Sequence, residues 1–145
     1  MKRVFLDAAC WVAATGSPIG GSARIISLAN SNEILLVANR IVLKEAERNV
    51  RLKFQPIAVL RFYQLVFQTN IEIWRSPSVD EEARWKTLVP DKDLHVLAGA
   101  LKGQSDVLVS LDRKHILTDH VRLHYPVLVQ DTKEFLEEFT KSEEL

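Results

Sequence analysis

Four carboxylates stand at positions where a folded chain normally keeps uncharged side chains: Asp7, Glu45, Asp93 and Asp112. Asp7 ends the apolar run 4–6, and Asp112 ends the apolar run 107–111, while the other two acids fall in helical stretches rich in Ile, Leu, Val and Ala. Carboxylates that meet in a low-dielectric site raise each other's pKa unless a cation neutralises them. The pattern therefore predicts a divalent metal site.

Length and charge limit the kinds of protein that this chain can be. Its 145 residues predict a single domain over residues 1–140, with residues 141–145 as a frayed tail. A hydrophobic content of 47% is ordinary for a globular protein. Because the formal net charge is zero, any contact with nucleic acid must come from a local patch and not from a global basic field.

The single cysteine, Cys10, excludes an internal disulfide and is typical of a protein in a reducing cytosol. We expect it to be a small buried hydrophobe and not a nucleophile. The apolar run that follows Lys2 and Arg3 is too short for a signal peptide, and no segment approaches about 18 consecutive apolar residues. These observations predict a cytoplasmic protein that does not enter a membrane.

Short apolar runs alternate with longer amphipathic stretches along the chain. The short runs predict strands at residues 3–6, 33–37, 71–74, 107–111 and 127–129. The longer stretches predict helices at residues 23–30, 41–54, 56–68, 78–88, 91–102 and 132–139. Strands that are hydrophobic throughout and separated by helices are typical of a parallel sheet covered on both faces. The expected fold is therefore α/β, with about five mainly parallel strands.

Asp7 and Asp112 both follow predicted strands, and the carboxyl ends of parallel strands meet at one edge of the sheet, where ligands bind. We therefore expect the two carboxylates to share a site. The alternative for each of them is a structural one, in which the aspartate only accepts hydrogen bonds from backbone N–H groups of the following loop.

Two glutamates of the helix 41–54 have different expected roles. Glu47 can pair with Arg51 one turn later, on a face that is solvated. Glu45 points away from that face, toward the sides of Ile41 and Leu52. A carboxylate in that position needs a partner, which is either a metal ion or a single cationic side chain.

In the helix 91–102, Asp93 shares a face with the apolar Leu97, so Asp91 is the better candidate for capping the helix. The four predicted ligands supply oxygen only, which favours Mg²⁺ or Mn²⁺ over zinc. We expect the histidines to lie at the surface or at helix edges: His95, His115, His120 and His124.

Five segments, in order along the chain, resemble the PIN-domain ribonucleases: residues 4–7, 18–23, 41–45, 92–101 and 106–115. The resemblance implies a three-layer α/β/α sandwich with a central parallel sheet. It also implies hydrolysis of RNA phosphodiester bonds that depends on Mg²⁺ or Mn²⁺. Carried over to this sequence, it makes the same four acids the catalytic and metal-binding residues: Asp7, Glu45, Asp93 and Asp112.

The sequence departs from the family pattern in places. Ala8 stands where many relatives have Thr or Ser, Ser110 keeps a hydroxyl where many have Thr, and Lys114 replaces a further acid. We expect Ser110 and Asp91 to support the acids, and Arg113, Lys114 and His115 to contact phosphate. A solvated turn at residues 113–115 is an equal alternative.

The resemblance leaves three functions open. The chain is an endoribonuclease toxin with a small antitoxin protein as partner, a nuclease of RNA processing without an antitoxin, or an inactive PIN-like module that binds RNA or protein. Retention of all four acids argues against the third. The resemblance also implies a homodimer, and surplus apolar side chains between residues 56 and 85 support that interface: Leu60, Phe62, Tyr63, Val66, Phe67, Trp74 and Trp85.

Overall fold

A computed structural model of the chain describes residues 1–144. The strands within that range are β1 (Lys2–Leu6), β2 (Ile34–Asn39), β3 (Ile71–Trp74), β4 (Val107–Val109) and β5 (Leu128–Gln130). The helices are α1 (Ala8–Gly16), α2 (Gly21–Asn30), α3 (Arg40–Lys53), α4 (Ile57–Gln68), α5 (Val79–Ala83), α6 (Leu94–Lys102), α7 (Asp119–His124) and α8 (Thr132–Glu144). A 3-10 turn, Asp91–Asp93, leads directly into α6.

The five strands form one parallel sheet in the order β3-β2-β1-β4-β5. Strand β1 lies at the centre, where Val4 is in register with Leu36 on one side and Val107 on the other. The order reverses direction after β3, because the chain returns across the sheet to form β4. Helix α1 packs against α2, α3 and α4, and α6 packs on β2 and β4. The predicted α/β/α architecture with a parallel five-stranded sheet is confirmed.

The centre of the sheet is apolar and buried from solvent. Val4, Phe5 and Leu6 of β1 have no exposed surface, and the residues of β4 are equally buried. Cys10 is also fully buried in α1, with its Sγ 3.5 Å from the carbonyl oxygen of Val109. Burial raises the pKa of the Cys10 thiol, so the expectation of a small buried hydrophobe is confirmed.

Several element boundaries differ from those predicted from the sequence. Helices α1 and α7 were not expected, β4 ends at Val109 and not at residue 111, and the predicted helix 78–88 is helical only over Val79–Ala83. Helix α8 continues to Glu144 and does not end at residue 139, so it occupies most of the predicted tail 141–145. Leu145 lies outside the described residues.

The apolar side chains that predicted an interface divide into three groups, of which one, Tyr63, Val66 and Trp74, is partly buried against the core. Phe62 and Trp85 are buried in the core, so the prediction that they are surplus surface is wrong. Leu60 and Phe67 are exposed on α4, with Phe67 83% exposed. None of the helices within residues 1–144 has both the length and the hydrophobicity that crossing a membrane requires.

Candidate metal centre

Asp7 lies where β1 ends and α1 begins, at the carboxyl edge of the sheet. Its Oδ1 accepts a hydrogen bond from the N–H of Ala8 at 2.7 Å, and its Oδ2 accepts one from the Ser110 hydroxyl at 3.0 Å. The side chain is only 8% exposed. Burial raises the pKa of Asp7 from 3.8 to about 6, the two hydrogen bonds oppose this rise, and the charge of Glu45 adds to it.

Ser110 connects two of the predicted acids. Its hydroxyl donates to Asp7 and accepts the backbone N–H of Asp112 at 3.1 Å. The side chain is fully buried just beyond β4. Because one hydroxyl is bonded to both segments, it fixes the end of β1 relative to the loop that carries Asp112, which is a supporting position of the kind predicted for Ser110.

Asp112 lies in the loop after β4. Its Oδ1 accepts hydrogen bonds from the N–H groups of Lys114 and His115, each at 3.0 Å. Its Oδ2 remains free of those bonds and lies 3.5 Å from Nδ1 of His115. The same Nδ1 is also 3.5 Å from Oδ2 of Asp93. One ligand atom from each of Asp93, Asp112 and His115 therefore lies within 4.8 Å of the other two.

Among the three residues of this group, Asp93 most strongly indicates a cation site. It is 9% exposed, and its Oδ2 is buried with no hydrogen-bond partner among the described residues. Burial raises the pKa of Asp93, against the opposing charge of Lys92, and the charge of Asp112 raises it further. A buried carboxylate oxygen without a donor, beside a second carboxylate and an imidazole, is a suitable ligand for a cation.

Glu45 takes a different partner. Nε2 of His95 lies 3.1 Å from its Oε2, and the His95 side chain is only 12% exposed. The contact with His95 lowers the pKa of Glu45, burial opposes this, and the charges of Arg48 and Lys92 lower it further. A side-chain partner for Glu45, the alternative that the sequence left open, is therefore present, and it is a histidine that is cationic when protonated.

The four predicted acids are thus neighbours, but they do not form one tight cluster. Asp93 and Asp112 share the group with His115, while Asp7 is connected to Asp112 through Ser110. The charge of Glu45 raises the pKa values of both Asp7 and Asp93, which requires that it lie close to them.

Two histidines contact the acids, which the sequence did not predict for either of them. His95 and His115 were expected at the surface or at helix edges, with His115 also a candidate for phosphate contact, but their side chains are only 12% and 23% exposed. His120 and His124 are exposed, as expected. The position of His115 three residues after Asp112 was an available signal, because a tight turn brings such residues together. No comparable spacing connects His95 with Glu45.

The remaining predicted residues lie farther out. Asp91 is exposed and makes no capping bond, because Asp93 itself occupies the N-cap position of α6, so the prediction that Asp91 caps this helix is wrong. Arg113 is 73% exposed and donates to Asp131 at 2.7 Å. Lys114 is exposed. The pairing of Glu47 with Arg51 is confirmed, at 3.1 Å.

Comparison with family models and with curated proteins finds no match in sequence. Solved structures do match in fold. The structure of PAE2754 from Pyrobaculum aerophilum is 15% identical, covers 97% of this chain and 98% of its own, and has a TM-score of 0.64. The VapBC2 structure from Rickettsia felis, bound to a DNA fragment from its promoter, is 15% identical over 89% of this chain and 98% of its own, with a TM-score of 0.64.

A third similar structure is that of VapC20 from Mycobacterium tuberculosis, described as a toxin that cleaves the sarcin-ricin loop. It is 16% identical over 84% of this chain and 95% of its own, with a TM-score of 0.59. The second and third of these structures are named as VapBC and VapC proteins. At such low identity the likeness concerns the fold, and the chain has the PIN-domain fold that its sequence resemblance implies.

Proposed function

We propose that this chain is a metal-dependent endoribonuclease that hydrolyses phosphodiester bonds of RNA. The observation that carries the proposal is the unpartnered, buried Oδ2 of Asp93 beside Asp112 and His115, at the carboxyl edge of a parallel sheet. The fold agrees with the proposal, since one similar structure is a toxin described as cleaving the sarcin-ricin loop.

Asp93, Asp112 and His115 would hold the ion, with Asp7 and Glu45 as further acids beside them. Four carboxylates against one imidazole favour Mg²⁺ or Mn²⁺. When bound, the ion would lower the pKa of a water molecule and neutralise charge on the phosphate. The imidazole of His115 modifies the all-oxygen ligand set that the sequence predicts.

The protein's own residues prepare the site. The Ser110 hydroxyl holds Asp7 relative to the loop of Asp112. His95 contacts Glu45 and neutralises its charge when the imidazole is protonated. Burial of Asp7 and Asp93 keeps water away from their carboxylates, which strengthens any interaction with a cation or a phosphate.

The test is cleavage of single-stranded RNA in the presence of Mg²⁺ or Mn²⁺. Addition of EDTA, which chelates the metal, should stop the reaction. We expect internal cuts that leave 5′-phosphate and 3′-hydroxyl ends, because attack by activated water does not use the 2′-hydroxyl. Glu45→Gln should lose cleavage, whereas Glu47→Gln, which alters the exposed pair with Arg51, should keep most of it. Cyclic phosphate ends, or cleavage that persists in EDTA, would contradict the proposal.

The biological role that we infer is that of a toxin with a small antitoxin protein as partner, located in the cytoplasm. The support is that one similar structure is described as a toxin and that another, VapBC2 from Rickettsia felis, is bound to a DNA fragment from its promoter. Expression should arrest growth, and Asp7→Asn should relieve the arrest. Cleavage of RNA without growth arrest would favour a nuclease of RNA processing, and absence of cleavage would favour an inactive binding module.

We also propose that the chain forms a homodimer through an apolar stripe on α4, formed by Ile57, Leu60 and Phe67. All three are more than half exposed, and their spacing puts them on one side of the helix. Exposed apolar side chains that form a continuous patch usually mark an interface.

A further inference from the structure

An open groove runs beside the metal centre, on the side of α3. It lies between α3 and the 3-10 turn that leads into α6, and its volume is about 440 Å³. The residues that line it are Ile41, Lys44, Glu45, Arg48, Lys92 and His95. Glu45 and His95 contact each other, and the charge of Glu45 raises the pKa values of Asp7 and Asp93, so the groove adjoins the acids of the metal centre.

Three cations line this groove without forming a close ion pair, although the charges of Arg48 and Lys92 act on Glu45. Lys44, Arg48 and Lys92 are exposed, and none of them forms an ion pair within 4.0 Å with another described residue. In contrast, Arg51 on the same helix is bonded to Glu47 and Tyr63. In a chain with zero net charge, three free cations around one groove form a local basic surface.

The three cations lie on two neighbouring elements that face each other across the groove. Lys44 and Arg48 are one helical turn apart on α3, so they are neighbours separated by about 6 Å along the helix axis. Lys92 faces them from the turn that also carries Asp93. A chain of negative charges bound along these residues would pass Glu45, which lines the same groove, and Asp93, which follows Lys92 in the turn.

On the side of the residues after Asp112, fewer cations are free to bind phosphate. Arg113 is bonded to Asp131, at 2.7 Å, and so is not free to bind a phosphate without breaking that pair. Lys114 is then the free cation of the segment that the sequence singled out for phosphate contacts. The free positive charge lies mainly on the α3 side.

We propose that the groove binds the phosphate backbone of single-stranded RNA next to the bond that is cut, with Lys44, Arg48 and Lys92 as the phosphate-binding residues. The proposal rests on the proposed function, because it takes the acids as the place where the phosphodiester reacts. An acidic protein segment is the competing occupant, and it is less favoured because the proposed function requires an RNA phosphodiester at the acids, which the groove adjoins.

The test measures binding without cleavage. A fluorescent single-stranded RNA of about 12 nucleotides is titrated with protein in EDTA, and anisotropy gives the affinity at several salt concentrations. The groove variant combines Lys44→Gln, Arg48→Gln and Lys92→Gln. The control variant removes the same charge from exposed cations outside the groove, by Arg24→Gln, Arg61→Gln and Lys86→Gln.

The groove variant should bind about tenfold or more weakly near 0.1 M salt, and its salt slope should fall by about 2, because each phosphate contact with a single strand contributes about 0.7. The control variant should stay within about threefold of the wild type, since diffuse charge contributes less than a contact. Thermal unfolding of both variants establishes that they are folded.

Equal weakening in the two variants would overturn the groove as the binding site. Displacement of RNA by polyglutamate at a lower concentration than unlabelled RNA would overturn RNA as the occupant, in favour of an acidic protein. If the groove variant alone loses binding but the wild type cuts no RNA with any divalent metal, the groove stands and the proposed nuclease function fails. If the wild type cuts RNA and the groove variant binds normally, only the groove fails.

Discussion

At the scale of one residue, Asp7 shows that an ionised acid of the site reduces the stability of the fold. Its pKa is raised to about 6 in the fold, so the folded state binds a proton more tightly than the unfolded state does. Stability should therefore fall as the pH rises from about 4 to about 6 and then stay low. A shift of this size corresponds to about 3 kcal/mol.

We accordingly predict that Asp7→Asn raises the free energy of unfolding at pH 7.5 without metal by about 1–3 kcal/mol and abolishes this pH dependence. Chemical denaturation between pH 4 and pH 8 measures both effects. Glu47→Gln is a control of opposite sign, because contact with Tyr63 and Arg51 lowers the pKa of Glu47. A less stable Asp7→Asn protein at pH 7.5 would mean that the bonds to Ala8 and Ser110 outweigh the cost of the charge.

Asp93 is the residue whose replacement should affect metal binding most directly. The wild type should release or absorb measurable heat on titration with Mn²⁺, and Asp93→Asn should give little, because the amide removes a buried anionic ligand. Asp91→Asn is the matched control, since Asp91 is an exposed acid of the same 3-10 turn. Equal binding by wild type and Asp93→Asn would exclude Asp93 from the site.

The sequence predicted the acids better than it predicted their partners. A carboxylate at the end of an apolar strand is visible in the sequence because it interrupts a hydrophobic run. The contact between His95 and Glu45 is not visible, because it joins two helices that are 50 residues apart and depends on how they pack. Ser110 could be predicted only through the family resemblance.

At the scale of secondary structure, the sequence did not predict two helices, the largely buried α1 and the short, mostly exposed α7. Helix α1 buries most of its residues, including Cys10 and Trp11, so it has no polar face and no helical periodicity of hydrophobic residues. Strand β3 was predicted with its observed ends, because it is short and bounded by polar residues. The end of β4 was predicted two residues too late, because Ser110 and Leu111 extend the run of the sequence beyond Val109, where the paired residues of the strand end.

The packing of α6 on β2 yields a prediction at the same scale. A Cβ at Gly99 would lie 2.6 Å from Nδ2 of Asn39, a buried side chain whose Oδ1 caps α3 at Val42. Gly99→Ala should therefore displace α6 from the sheet and reduce the free energy of unfolding by about 1–3 kcal/mol. Because α6 follows Asp93 and α3 carries Glu45, Mn²⁺ binding should weaken as well.

Gly16→Ala is the control for this change. A Cβ there would also meet a neighbour at 2.6 Å, but the neighbour is the ring tip of Phe54, which is partly exposed and can rotate away. We expect its unfolding free energy to stay within about 0.5 kcal/mol of the wild type. Similar losses in the two variants would argue against a special constraint at Gly99.

For the whole molecule, the expected assembly is a homodimer at micromolar concentration. Light scattering should give twice the chain mass of 16.5 kDa, and the double variant Leu60→Glu, Phe67→Glu should give the single mass, because charges in an apolar interface are costly. Leu123→Glu is the control, since Leu123 is 79% exposed on α7, away from the stripe on α4. A wild type that scatters as one chain would contradict the dimer.

The burial of Cys10 has a practical consequence for observing this protein. Only a thiolate reacts with disulfide reagents, and Cys10 is enclosed in the helix that begins directly after Asp7. Its labelling rate should therefore report how often α1 opens, which is a local unfolding event. We expect Mn²⁺ to slow labelling in the wild type but not in Asp93→Asn. The single thiol would then be an intrinsic probe of how often the helix beside the acids opens.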